Sequence, residues 1–173
     1  MTSQELLDLD SDLLKPQKRN LQLTNDFPVN SFTSGRQDYP KIGTLKNGGF
    51  VVVFSSQNEA AAGSDRDIAF RLFDSGGNPV GDDIVVSGTS SVREEYPSIA
   101  VLENGCFVIA WQVFINSGDI VYRVYWPDGT PRTSETAISG NDNSGQEYPS
   151  VAALTEGGFV ICWRAAFDVK CEI

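Results

Sequence analysis

No histidine occurs anywhere in the 173 residues. Its absence removes Ser-His-Asp and Cys-His nucleophilic chemistry and every imidazole metal ligand. Basic residues are scarce as well: 13 Lys and Arg stand against 23 Asp and Glu, a formal charge of −10. Such a field repels polyanions, which speaks against nucleic acid and anionic membrane surfaces as partners. Apolar runs fall far short of the roughly 20 residues a membrane-spanning helix needs, so no membrane insertion is expected. The first residues lack the basic flank and uninterrupted apolar stretch of a secretory signal. Cysteine is limited to Cys106, Cys162 and Cys171. An odd count at irregular spacing matches no zinc pattern and no closed disulfide framework, so free, largely buried thiols are expected. Methionine occurs once, while Gly (16) and Phe (10) are plentiful. That balance favours strands and turns over a helical bundle.

What is present is a repeat. Tyr148-Pro149-Ser150-Val151-Ala152-Ala153-Leu154 leads into Gly158-Phe159-Val160-Ile161-Cys162-Trp163, and the phrase aligns without a gap on Tyr39 to Phe54 and Tyr96 to Trp111. An acid precedes each Tyr-Pro: Asp38, Glu95 and Glu147. The copies recur at roughly 50 residues, the spacing of four-stranded units. The first copy is longer through an Ala-rich insert at Asn58 to Arg66, and Phe27-Pro28-Val29-Asn30 matches the tail of a preceding copy.

Each copy reads as four strands. In the second, Ile99 to Leu102 and Phe107 to Trp111 are short continuous apolar runs, as in strands buried on both faces. Asn104-Gly105 between them is a hairpin turn, matched by Asn47-Gly48 and more weakly by Glu156-Gly157. Strand three runs Ile120 to Tyr125 and ends at Pro127-Asp128-Gly129, a chain reversal. Strand four, Ile84 to Ser87 or Thr136 to Ser139, is short and polar, as suits an outer edge. In the third copy, Asp168 to Ile173 supplies strand three. The fold class is therefore all-β, with four-stranded antiparallel blade repeats in a β-propeller-like array of three blade equivalents. Residues 21–173 form this domain. Residues 1–20 are an acidic, Leu-rich leader whose Thr2-Ser3-Gln4-Glu5 has the form of a capping box, giving a short N-terminal helix or tail.

The Tyr-Pro-Ser-Val-Ala-Ala-Leu…Gly-Gly-Phe-Val…Trp phrase, with Phe70-Arg71-Leu72-Phe73-Asp74-Ser75-Gly76-Gly77-Asn78-Pro79, resembles β-propeller-like repeats of large bacterial surface proteins of the repeats-in-toxin or cadherin-like kind. That resemblance implies an adhesive or scaffold module at the cell surface, with no catalytic motif to carry over. The glycine-aspartate calcium nonapeptides of such proteins are missing here.

Two readings fit the acid-Tyr-Pro corners. Tyr39, Tyr96 and Tyr148 can wedge between blades, the expected role. Alternatively Asp38-Tyr39, Glu95-Tyr96 and Glu147-Tyr148 present equal sugar sites, as in a multivalent lectin. Trp111 and Trp163, with Phe54 at the equivalent place, are expected in the inter-blade core. No catalytic residue and no metal ligand set is assigned. Asn141-Asp142-Asn143-Ser144-Gly145 and Ser64-Asp65-Arg66-Asp67 supply oxygen ligands, but neither has calcium-loop spacing, so no cofactor is expected. The function expected is a non-catalytic β-repeat scaffold or protein-interaction module. The alternatives are a carbohydrate-binding propeller and, third, a calcium-binding adhesin fragment. An unfinished blade should also attract a strand, so residues 27–30 are expected to complete the blade holding Phe159 to Trp163, within the chain or in a second copy.

Overall fold

The structure is a computed structural model and describes residues 26–57, 66–86, 92–115, 118–138 and 145–173. The leader and its expected helix lie outside them, as do most of the Ala-rich insert and most of the two candidate calcium loops.

Among the described residues every regular element is a strand, and the strands form three antiparallel sheets. The first is β1 (Gln37–Thr44), β2 (Phe50–Ser56), β3 (Asp67–Phe73) and β4 (Pro79–Val85). The second is β5 (Glu94–Val101), β6 (Phe107–Val113), β7 (Asp119–Tyr125) and β8 (Thr136–Ala137). The third holds β9 (Gln146–Ala153), β10 (Phe159–Ala165) and β11 (Asp168–Glu172), which takes the strand-three position expected of it.

The middle strands follow the apolar runs closely. The first strands reach further than those runs, because pairing resumes on the far side of the Tyr-Pro dipeptide. Glu95 pairs with Gln112, and Ser98 with Ala110, with a register shift between. Equivalent shifts lie between Asp38 and Lys41 and opposite Cys162 and Arg164. Proline cannot donate to a ladder, and a bulge is where a strand tolerates it. Strand four also differs from expectation: β4 begins at Pro79, directly after the turn, and β8 keeps only two residues. At the Asn-Gly hairpin, Gly105 adopts φ +84, and the amide of Cys106 donates to Asn104 Oδ1 at 3.0 Å. A side chain at Gly105 would meet the left-handed penalty of roughly 1–2 kcal/mol.

Two apolar layers hold the sheets together. Val51, Val53, Ile68 and Phe70 of the first sheet interdigitate with Phe107, Ile109, Trp111 and Tyr125 of the second. Val108, Ala110 and Ile120 of the second meet Val151, Ile161 and Trp163 of the third. Trp111, Trp163 and Phe54 are buried, as their place in the repeat implied. Each such aromatic contributes about 2–3 kcal/mol relative to exposure.

Two expectations fail. Cys162 and Cys171 are not free thiols: they face each other across the β10–β11 ladder and form a disulfide, S–S 2.06 Å. A tight hairpin makes them direct cross-strand neighbours, which the odd total concealed. Cys106 remains a buried thiol. The second fails in its within-chain form only: residues 27–30 form no strand and do not join β9–β11 of their own chain. They lie on the first sheet instead, where Val29 packs against the cluster of Val52, Phe54, Ala69 and Phe73. Arg71 Nη1 donates to the Val29 carbonyl at 3.0 Å.

Candidate functional site

The first strands β1, β5 and β9 run beside one another at the inner edges of the three sheets. Their approach is close: a Cβ added at Gly43 would lie 3.0 Å from Val101 Cγ2. The amide of Val151 donates across the gap to Ser98 Oγ at 3.0 Å. This alignment brings the three Tyr-Pro bulges to the same end of the inner strands.

All three tyrosines have left-handed backbones, with φ 56, 57 and 54 at Tyr39, Tyr96 and Tyr148. That conformation is costly for a bulky residue and persists only where the surroundings enforce it. Here it turns successive rings into one row. Tyr39 and Tyr96 are 4.7 Å apart between centroids, and so are Tyr96 and Tyr148, at 55° and 61°. The rings thus touch from sheet to sheet, yet not as buried wedges: Tyr39 is 41% exposed and Tyr148 51%. Phe114 flanks Tyr96 at 6.3 Å, and Arg93 lies over Phe114. Arg164 lies 5.3 Å over the Tyr148 ring. Burial, a hydrogen bond with Tyr39 and the neighbouring Tyr39, Glu95 and Tyr148 charges push the Tyr96 hydroxyl up to about 12. It stays a neutral donor at ordinary pH.

The acids lie immediately beside this row. The Glu95 side chain is 0% exposed, while those of Asp38 and Glu147 reach solvent in part. One nitrogen of Arg66 bridges two sheets, 2.9 Å from Asp38 Oδ2 and 2.6 Å from Glu95 Oε1. Arg93 adds a second contact to Glu95 at 2.7 Å, Arg36 lies 3.4 Å from Asp38, and Arg164 pairs with Glu147. Gln112, opposite Glu95 in the ladder, accepts from the amide of Tyr148 at 3.3 Å. All six residues singled out in the sequence therefore meet in one place. The arginines were missed. Arg36 and Arg93 hold the same offset before Tyr39 and Tyr96, a periodic signal that could have found them.

The surface combines partly exposed aromatic rings with carboxylates and guanidinium groups fixed by ion pairs. Apolar ring faces beside dense hydrogen-bonding groups suit a ligand that is itself apolar on one face and hydroxylated at its rim. By contrast, Asp128 and Asp74 serve turns. Asp128 Oδ1 accepts from the amide and hydroxyl of Thr130 at 2.9 and 2.7 Å, and these bonds hold its carboxyl below the usual range. Asn78, with Gly76, does the same for Asp74.

Solved structures share this arrangement of sheets. An α-L-arabinanase from Penicillium chrysogenum, complexed with arabinobiose, superposes with a TM-score of 0.58 at 14% identity, over 77% of this chain and 41% of that one. A Hadza microbial sialidase gives 0.58 at 14% identity, over 78% and 34%. An α-L-arabinofuranosidase from Lactobacillus brevis gives 0.57 at 13% identity, over 85% and 51%. The fold is three blades of a β-propeller. This chain spans about a third to a half of the length of these propellers. No protein-family model matches the sequence, and no curated protein does.

Two expectations are corrected by these likenesses. Nothing in them supports the repeats-in-toxin or cadherin-like attribution; the propeller part of that resemblance is what holds. The expectation that the chain is not an enzyme is contradicted, because its fold neighbours are glycoside hydrolases. The absence of histidine excluded imidazole chemistry only. Most glycoside hydrolases work with a pair of carboxylates and need no imidazole.

Proposed function

We propose that this propeller segment recognises carbohydrate, through the row of Tyr39, Tyr96 and Tyr148 and the flanking Asp38, Glu95 and Glu147. One observation carries the reading. Three blades each direct a tyrosine, held in a left-handed backbone, to one partly exposed row. Packing alone would reward burying these rings, whereas Tyr39 and Tyr148 keep half-open faces. The arabinobiose complex of the P. chrysogenum arabinanase supports the same ligand class. This reading takes the place of the scaffold role. A glycan array that includes arabino-, xylo- and sialo-oligosaccharides tests it, with saturable binding expected and then removed by Tyr96→Ala.

Hydrolysis is the second reading, favoured by the fold neighbours. Asp38 and Glu95 share one Arg66 nitrogen, so their oxygens are no further apart than two hydrogen-bond lengths. That upper bound admits the spacing of retaining glycosidases, about 5–5.5 Å, and is shorter than the roughly 6.5–9.5 Å of inverting ones. Glu95, however, has no exposed surface. Glu147 and Asp38 are the carboxylates a substrate can reach. Release of reducing sugar from any glycan that binds, lost in Glu147→Gln, is the result expected on this reading.

A further inference from the structure

The chain has five tyrosines, and all lie among the described residues. Two of them have phenylalanines as ring neighbours. Tyr125 is buried against Phe70 and Phe107, and Tyr122 meets Phe159 at the junction of blades two and three. The other three touch one another. Tyr96 lies 4.7 Å between centroids from Tyr39 on one side and 4.7 Å from Tyr148 on the other. It also hydrogen-bonds with Tyr39, which brings the phenol oxygens and the ring carbons beside them together. Each contact crosses a blade junction, because Tyr39 belongs to β1, Tyr96 to β5 and Tyr148 to β9. The left-handed backbone at each bulge holds the rings in this row.

Phenols placed in this way have a reaction that isolated ones lack. A phenol that gives up one electron and its hydroxyl proton becomes a radical, and the unpaired electron is shared with the ring carbons ortho to the oxygen. Two such rings in contact can join through those carbons. The ends of the row are open to an oxidant, since Tyr39 and Tyr148 keep partly exposed faces. Tyr96, in the middle, has a tyrosine on either side. Ring contact makes the joining step intramolecular, with an effective concentration of about a millimolar or more. Collisions between chains are further disfavoured by the −10 charge that each copy carries.

We propose that the tyrosine row is a site of oxidative cross-linking, at which Tyr96 couples to Tyr39 or Tyr148 and a dityrosine bond joins neighbouring blades. The oxidant is hydrogen peroxide, used by a haem peroxidase. Each of the two phenols loses one electron and one proton. The two ortho carbons form the new carbon–carbon bond, and the hydrogen on each then moves to its own phenol oxygen, which restores both rings. Hydrogen peroxide takes up the two electrons and two protons and leaves as two waters. The Cys162–Cys171 disulfide ties strands within one blade. The phenol bond ties one blade to the next, where apolar packing and the Arg66 bridge otherwise hold them. This chemistry does not depend on the row also holding sugar.

Treating the purified chain with a haem peroxidase and hydrogen peroxide, then separating the products by size under denaturing conditions, tests this. The expected product is a single chain, lighter by two hydrogens, that carries dityrosine fluorescence. Peptide mapping by mass spectrometry then finds Tyr96 joined to Tyr39 or Tyr148. Tyr96→Phe leaves the outer two without a tyrosine neighbour and lowers the single-chain signal about tenfold or more. The double variant Tyr39→Phe, Tyr148→Phe keeps Tyr96 and loses the signal as well, whereas Tyr122→Phe retains it. Circular dichroism shows that each variant is folded. A single chain without dityrosine overturns the proposal. So does dityrosine confined to covalent dimers, a link made through Tyr122 or Tyr125, or an undiminished signal in Tyr96→Phe.

Discussion

Tyr39 and Tyr96 meet at 4.7 Å between ring centroids although they stand in different blades, because each follows an acid and precedes a proline at the same bulge. The contact ties a sequence repeat to a surface. Pairing is interrupted in each first strand at the one place where proline needs it, and the interruption rotates the tyrosine out of the ladder to the end of the inner strands. A single such bulge would be a local irregularity; three in register bring the rings into one row.

The Arg66 bridge is expected to matter for stability as well as position. Glu95 is fully buried and shares Arg66 with Asp38 of the neighbouring blade. Arg66→Ala should cost about 2–4 kcal/mol in urea denaturation, because it strips one of two guanidinium partners from a buried carboxylate. Arg164→Ala removes a pair that is half exposed on the arginine side and should cost under about 1 kcal/mol.

Alkaline pH should reveal Tyr96. Burial and the hydrogen bond with Tyr39 push its hydroxyl up to about 12 in the folded chain, from the ordinary phenol value near 10 when unfolded. A raised folded value means stability that is complete below the unfolded pKa and lost as pH rises through the folded one. Wild-type stability should therefore fall between about pH 10 and 12, and Tyr96→Phe should flatten that decline. Denaturation midpoints across this window check it.

The disulfide should act locally. β11 is exposed along its length and rests on β10 alone among the described residues. Reduction of Cys162–Cys171 should release about 2 kcal/mol, seen as faster amide exchange in β11 with little change in β6. In the oxidised protein Cys106 is buried and should resist alkylation; after mild reduction two thiols should react before it.

Core and turn tryptophans should separate cleanly. Trp111 is fully buried between blades one and two, while Trp126 is exposed at the turn after β7 under Arg132. Trp111→Ala should cost about 3–5 kcal/mol, and Trp126→Ala about 0.5 kcal/mol or less. Guanidinium titrations of both variants measure the contrast.

Much of this was legible in the sequence. The repeat phase located all three sheets, the Asn-Gly pairs located the hairpins, and continuous apolar runs located β2, β6 and β10. The unusual backbone of the tyrosines was not legible, because an L-residue with a large ring gives no local sign of a left-handed φ. The disulfide was hidden because Cys171 has no counterpart in the other copies; only the tight β10–β11 hairpin sets it opposite Cys162. Residues 27–30 read as the tail of a preceding unit, and their placement on blade one depends on Arg71 and Asp83, far along the chain. The missing histidine has no bearing on carboxylate chemistry, so hydrolysis was not legible from its absence.

The account stands most directly on sugar binding at the tyrosine row. Calorimetric titration of the purified chain with the best oligosaccharide from the array should give a saturable heat, and Tyr96→Ala should abolish it while the unfolding midpoint shows a folded protein. Saturable binding that is unchanged in Tyr96→Ala, or no binding by the wild-type chain to any oligosaccharide tested, would contradict it.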